Sequence, residues 1–157
     1  MLLRVAVMLI SKINSKEISE LEGFLHKVDK DFQPRLSSRV DIGSYAQKLI
    51  DSAIIFKASK SSKTVGLVAC YANDPDKINA YIPLISVDRE FHGYGIGSML
   101  LTQLISELKM NSFKELSLTV RKSSDAFHLY KKFGFKIDSE FQYENSEIIG
   151  LNMVKKI

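Results

Sequence analysis

The alternation of apolar and polar positions divides the chain into strand and helix signals that follow one another closely. Residues 1–10, MLLRVAVMLI, are apolar apart from Arg4, and with the segment up to Asn14 they predict a first strand. Ile18, Leu21, Leu25 and Val28 then recur at helical spacing. They predict a helix capped by Ser15 or Ser19, with Lys16, Glu20, Lys27 and Lys30 outward. Residues 31–44, DFQPRLSSRVDIGS, read as a loop, and Tyr45–Ile50 as a short helix. Ala53–Ala58 and Thr64–Tyr71 are strands joined by the polar turn SKSSK, and Asn73–Asp76 is a second turn.

Tyr81–Val87 is an apolar run with β-branched residues, which predicts a buried strand. Asp88–Phe91 is a polar turn whose charges are expected in solvent. Gly95–Met110 carries Ile96, Met99, Leu100, Leu101, Leu104, Ile105 and Leu108, wider than one amphipathic stripe, so this helix is expected to be largely buried. Glu115–Val120 is the next strand. A strand–helix–strand crossover makes it parallel to Tyr81–Val87 and right-handed. Ser123 or Ser124 caps a helix through Phe133, and Gly134 ends it. Phe135–Phe141 and Ile148–Lys155 form a closing pair across QYENSE. With no repeat, low-complexity tract or linker, residues 1–157 are expected to form one α/β domain.

Composition narrows the classes. The chain has 157 residues and is 45% hydrophobic, enough for one sizeable core. No apolar run reaches the ~18 residues of a membrane span. No small-residue cleavage pattern follows the apolar start, so no membrane association and a cytoplasmic location are expected. Met8 is an alternative start. The single cysteine, Cys70, excludes an internal disulfide and fits a reducing compartment. Its apolar strand makes it a packing residue. Three scattered histidines form no metal constellation. The net charge of +4 is spread along the chain. It favours solubility and a polyanionic ligand, while no nucleic-acid motif is present.

The stretch His92–Ser98, HGYGIGS, carries the chemistry. It follows a strand and runs straight into a helix. Successive N–H groups in a glycine loop form an anion-binding concavity, and the helix adds unpaired N–H groups and a positive dipole end. Strand, loop and helix together predict a phosphate cradle. The loop is not a Walker A sequence, because Ser98 and Met99 follow Gly97. Its G-x-G-x-G spacing is also not the dinucleotide fingerprint.

A second stretch, ELSLTVRKSSDAFHLYKKFGF over residues 115–135, completes a resemblance to the GNAT superfamily of acetyl-CoA-dependent N-acetyltransferases. The first family motif, Arg/Gln-x-x-Gly-x-Gly/Ala, is matched by His92, Gly95 and Gly97, with His92 in place of Arg or Gln. The second, Asn-x-x-Ala-x-x-Leu-Tyr with Gly-Phe close behind, is matched by Ser123, Ala126, Leu129, Tyr130, Gly134 and Phe135. Ser123 or Ser124 stands where Asn is usual. The resemblance covers residues 65–136.

That resemblance implies a mixed, mostly antiparallel sheet flanked by helices. Its central parallel strands splay at their C-terminal ends to admit the pantetheine arm of acetyl-CoA. It implies that Ile85, Ser86 and Val87 bind pantetheine amides through backbone. His92, Gly93, Tyr94, Gly95, Ile96, Gly97 and Ser98 then hold the pyrophosphate, with Ser123, Ser124 and Phe127 also toward the cosubstrate. Tyr130 becomes the general acid for the leaving thiolate. Family members that acetylate ribosomal-protein N-termini often carry Leu-Glu-Val on the second central strand; here the run is Leu118-Thr119-Val120. With no carboxylate there, Tyr81, Ser86 and Thr119 are left as a water relay for the base. Residues 31–45 and 141–147 are expected to form the acceptor pocket, with Phe32, Arg35, Arg39, Tyr81 and Tyr143 its candidates. The implied partner is a small amine such as an amino sugar or amino acid, and a homodimer is left open. Three other readings stand beside this one: a protein N-terminal or lysine acetyltransferase, a non-catalytic acyl-CoA-binding module, and a nucleotide-binding α/β protein.

Overall fold

The computed structural model describes residues 7–157, so the part of the expected first strand over residues 1–6 lies outside the described residues. The elements in chain order are β1 (Leu9–Lys12), α1 (Ile18–Val28), α2 (Ile42–Ser52), β2 (Ile54–Lys60), β3 (Lys63–Tyr71) and β4 (Asn79–Val87). They continue with α3 (Ile96–Met110), β5 (Glu115–Arg121), α4 (Ala126–Lys132), β6 (Lys136–Gln142) and β7 (Ile149–Lys156). The sheet order is β1-β2-β3-β4-β5-β7-β6. The pair β4–β5 is parallel, and β1–β2, β5–β7 and β6–β7 are antiparallel. The expected mixed, mostly antiparallel α/β sheet is therefore observed. The chain divides into two compact units, the first running to Ala69 and including Leu84–Leu104, the second comprising Cys70–Pro83 and Ile105–Ile157.

In the first unit, α1 buries Leu21, Phe24, Leu25 and Val28, and α2 buries Ile42, Ala46 and Leu49. Neither Ser15 nor Ser19 caps the α1 segment. Asn14 does, through a capping box with Glu17 on a 3-10 turn, Ser15–Glu17, that leads into the helix. Glu20 and Lys27 are not simply solvated. Glu20 receives Thr64 Oγ1 and pairs with Lys57 at 3.0 Å, and Lys57 also reaches Glu17 at 2.5 Å. The second helix is longer than Tyr45–Ile50, because the Asp41 side chain accepts the Ser44 N–H at 2.9 Å and starts it at Ile42. The loop before it contains two 3-10 turns, Asp29–Asp31 and Leu36–Ser38. They are joined where Asp29 accepts both the N–H and the hydroxyl of Ser37 at 2.7 Å.

Thr64–Cys70 of β3 are buried without interruption. Gly66 explains how α3 lies so close to it. A Cβ there would sit 2.9 Å from Ile96 Cγ2 and 3.2 Å from Leu100 Cδ1. Both neighbours are buried at the start of α3. Gly66→Ala is therefore expected to cost about 1–3 kcal/mol by overpacking. A lower denaturant midpoint at unchanged slope would show it.

In the second unit, the parallel register runs from Asn79↔Glu115 to Ile82↔Leu118. Pro83 follows and has no N–H to donate. The β5 strand alternates, with Leu116, Leu118 and Val120 buried. Ser117 and Thr119 take the opposite face. The turn before β4 is organised by the Asp74 carboxylate, which accepts the N–H groups of Asp76, Ile78 and Asn79. The strand β6 pairs with β7 through a register shift between Ile137 and Ser139.

Candidate active site

The first unit carries the strand–loop–helix. The β4 strand delivers Ile85, Ser86 and Val87, all half-buried, and the next residue pins its end. The Asp88 N–H donates to Val65 O at 2.9 Å. Its carboxylate accepts the Glu90 N–H at 3.1 Å and lies 2.6 Å from Lys27 Nζ. The expectation that Asp88 is solvated is wrong, since it is 5% exposed. Burial alone would raise its pKa; the Lys27 ammonium and the Glu90 N–H outweigh that and hold it below the usual carboxylate range. Asp88 is thus a charged cap for the 3-10 turn Arg89–Phe91. Arg89 is anchored in turn by Asp31 at 2.7 Å.

His92 has a local job. Its Nε2 lies 2.9 Å from Val87 O. A carbonyl only accepts, so Nε2 carries the hydrogen and the ring ties the loop back to the strand end. Gly93 and Gly95 have φ of +86° and +76°, the left-handed region that side chains rarely enter. A Cβ at either would meet nothing within 4 Å, so open space faces the loop there. Tyr94 between them is 68% exposed. Ile96 is different, because its side chain is buried and only its backbone remains for a ligand. Gly97 and Ser98 fall in the first turn of α3, and Ser98 O accepts the Thr102 hydroxyl at 2.8 Å. Phe32 is half-buried, whereas Arg35 and Arg39 are exposed around the turn Leu36–Ser38.

The second unit carries Tyr130. Ser124 starts the turn into α4: its N–H donates to Arg121 O at 2.9 Å and its hydroxyl accepts the Ala126 N–H at 3.2 Å. Ser123 is exposed. Phe127 lies edge-on to His128, with Lys131 Nζ 5.6 Å above its ring. Tyr130 is 4% exposed and packs edge-on against Phe135 at 5.8 Å between centroids. Burial pushes its phenol pKa well up, so its proton stays on across ordinary pH. Tyr81 OH lies 3.4 Å from Thr119 Oγ1, joining two of the expected relay groups. Tyr143 packs edge-on to Phe141 at 4.9 Å. Cys70 is buried and its thiol is pushed up to about 12 by desolvation, which removes it as a nucleophile.

The sequence reading missed the role of Asp88, although Asp two residues before Glu90 is an Asx-turn signal. Among the described residues no group of three His, Cys, Asp or Glu could hold a metal ion, and no helix is long and apolar enough to cross a membrane.

No curated protein matches the sequence. The fold is similar to an acetyltransferase of the GNAT family from Streptococcus pneumoniae, with TM-score 0.80 and 24% identity over 96% of this chain and 99% of that one. It is also similar to the ribosomal-protein-S18-alanine N-acetyltransferase from Escherichia coli (TM-score 0.79, 19% identity, 96% and 94% coverage). An aminoglycoside 6'-N-acetyltransferase complexed with coenzyme A gives TM-score 0.77 at 14% identity, with 94% and 96% coverage. The model of the acetyltransferase (GNAT) domain matches residues 25–157, and the chain therefore belongs to the GNAT acetyltransferases, a family of acyl-transferring enzymes.

Proposed function

We propose that the chain moves the acetyl group of acetyl-CoA to the primary amine of a small molecule, such as an amino sugar or amino acid. The observation that carries the donor side is the loop at Gly93–Gly95, with two left-handed glycines, open space before them and a long helix behind. N–H groups presented there suit a diphosphate. The backbone of Ile85–Val87 binds the pantetheine amides, and one of its N–H groups polarises the thioester carbonyl as an oxyanion donor. Bound acetyl-CoA supplies an activated acyl group that an amine attacks directly. Tyr130 holds a proton in a dry setting and gives it to the departing thiolate. Burial keeps that proton on the phenol until a strongly basic thiolate forms beside it.

The acceptor side rests on neutral and cationic groups. The hydroxyls of Tyr81 and Thr119 lie 3.4 Å apart, and the run Leu118-Thr119-Val120 on β5 carries no carboxylate. They pass the amine's proton to water rather than holding a fixed carboxylate base. Arg35 and Arg39 are exposed cations on the loop before α2. They suit an acceptor with a carboxylate or several hydroxyls. Thiol release from acetyl-CoA across amino sugars, amino acids and N-terminal peptides tests the assignment. Turnover is expected with a small amine, and the double variant Arg35→Ala, Arg39→Ala should raise acceptor KM with cosubstrate affinity nearly unchanged. Turnover confined to peptides would replace the small-molecule acceptor with a protein. No turnover with intact acetyl-CoA binding would make the chain a binding module.

A further inference from the structure

Lys60 is the last residue of β2, and its place beside the glycine loop follows from the hairpin geometry. The two residues that follow, Ser61 and Ser62, have φ of 51° and 62°. Two left-handed residues in a two-residue turn give the tight hairpin that links β2 to β3. The start of β3 is bonded to the end of β4 through Asp88 N and Val65 O at 2.9 Å. The hairpin tip therefore stands next to the segment that leads into the loop. Lys60 Nζ lies 5.5 Å from the Phe91 ring centroid and 5.9 Å from that of Tyr94. These rings are 6.4 Å apart and tilted by 52°.

Three cations of this unit are matched to carboxylates: Lys27 to Asp88, Arg89 to Asp31, and Lys57 to Glu17 and Glu20. Lys60 has no carboxylate within ion-pair distance among the described residues and rests against the two ring faces instead. Ring quadrupoles hold an ammonium weakly at an exposed site. They position the charge without neutralising it. A half-buried, positioned ammonium beside a diphosphate loop suits a further phosphate on the same ligand. In the acyl donor that group is the 3′-phosphate of the nucleotide.

Resting on the donor assignment above, we propose that Lys60 binds the 3′-phosphate of coenzyme A, with Phe91 and Tyr94 holding its ammonium in place. The lysine thereby discriminates coenzyme A from the dephospho form. Calorimetry on the full chain with coenzyme A and with 3′-dephospho-coenzyme A tests this without turnover. In the parent protein coenzyme A should bind about tenfold more tightly than the dephospho form, the order expected for one charge-assisted contact. Lys60→Gln should abolish that preference by weakening coenzyme A alone, and Lys60→Arg should largely restore it. Raising salt should narrow the gap in the parent protein. Equal weakening of both ligands in Lys60→Gln would assign the lysine to the diphosphate and overturn the proposal, as would no change in either. Failure of the parent protein to bind either ligand would instead remove the donor assignment itself. Thermal melting of the variants separates these outcomes from loss of fold.

Discussion

Tyr130→Phe is expected to lower kcat about 10²-fold or more while leaving acetyl-CoA affinity and melting temperature nearly unchanged. The change removes one oxygen and keeps the ring. The ring is what the fold uses, since Tyr130 packs edge-on against Phe135 and is 4% exposed. The hydroxyl's own net contribution to stability is about 1 kcal/mol, as for an ordinary hydrogen bond. A 10²-fold loss in turnover corresponds to about 2.7 kcal/mol in the barrier, so the two roles separate cleanly. The pH profile adds a second reading. Burial pushes the Tyr130 pKa up, so the phenol stays protonated as pH rises through the usual assay range. Loss of the acid form therefore causes no alkaline fall in rate below about pH 10, the ordinary phenol value. A steep alkaline fall below that point, present in the parent and absent in Tyr130→Phe, would contradict the burial. Near-normal turnover in a folded Tyr130→Phe protein would leave Tyr130 as a packing aromatic and return the proton donor to water or another group.

The segments that were legible in the sequence are those whose determinants are local. The run from Tyr81 to Met110 combines a β-branched apolar stretch, spaced glycines and a broad apolar helix, and each signal acts within a few residues. It folds as β4, loop and α3 nearly where the pattern placed them. The parallel pairing of β5 with β4 followed from topology, because a helix must carry the chain back across the sheet. Helix starts were less legible. Asn14 and Asp41 are the working caps, but each lies among serines that carry the same signal. Asp41 sits in a stretch of serines with Pro34 and Gly43, a composition that signals a loop.

Groups whose state is set by distant partners were not legible. Asp88 looked like turn charge, and only its contact with Lys27, far upstream on α1, shows a buried carboxylate held by an exposed ammonium. Lys60 looked like one more surface lysine, until the turn at Ser61 and Ser62 set it over Phe91 and Tyr94. The glycine motif was legible as a motif, but its three glycines looked equivalent. The backbone separates them: among the described residues the glycines with positive φ are Gly93, Gly95 and Gly134, while Gly97 lies within α3.

Gly95→Val is therefore expected to weaken coenzyme A binding at least about tenfold, and more than Gly97→Val weakens it through conformation alone. Gly95 holds φ at +76°, where a β-branched residue is an outlier. Keeping a side chain in that region costs about 1–2 kcal/mol. The loop relieves the strain by rotating, and its N–H groups then lose their common aim. The same substitution does not damage the core, because a Cβ at Gly95 meets no atom within 4 Å. Melting should accordingly fall by only a few degrees, in keeping with about 1 kcal/mol in a domain of this size. Gly97 makes the contrast. In the first turn of α3, valine at that position carries none of the left-handed strain that it meets at Gly95. Calorimetry with coenzyme A on both folded variants reads the difference directly. Unchanged affinity in folded Gly95→Val would take the loop out of the phosphate site, and the donor would have to bind elsewhere on the protein.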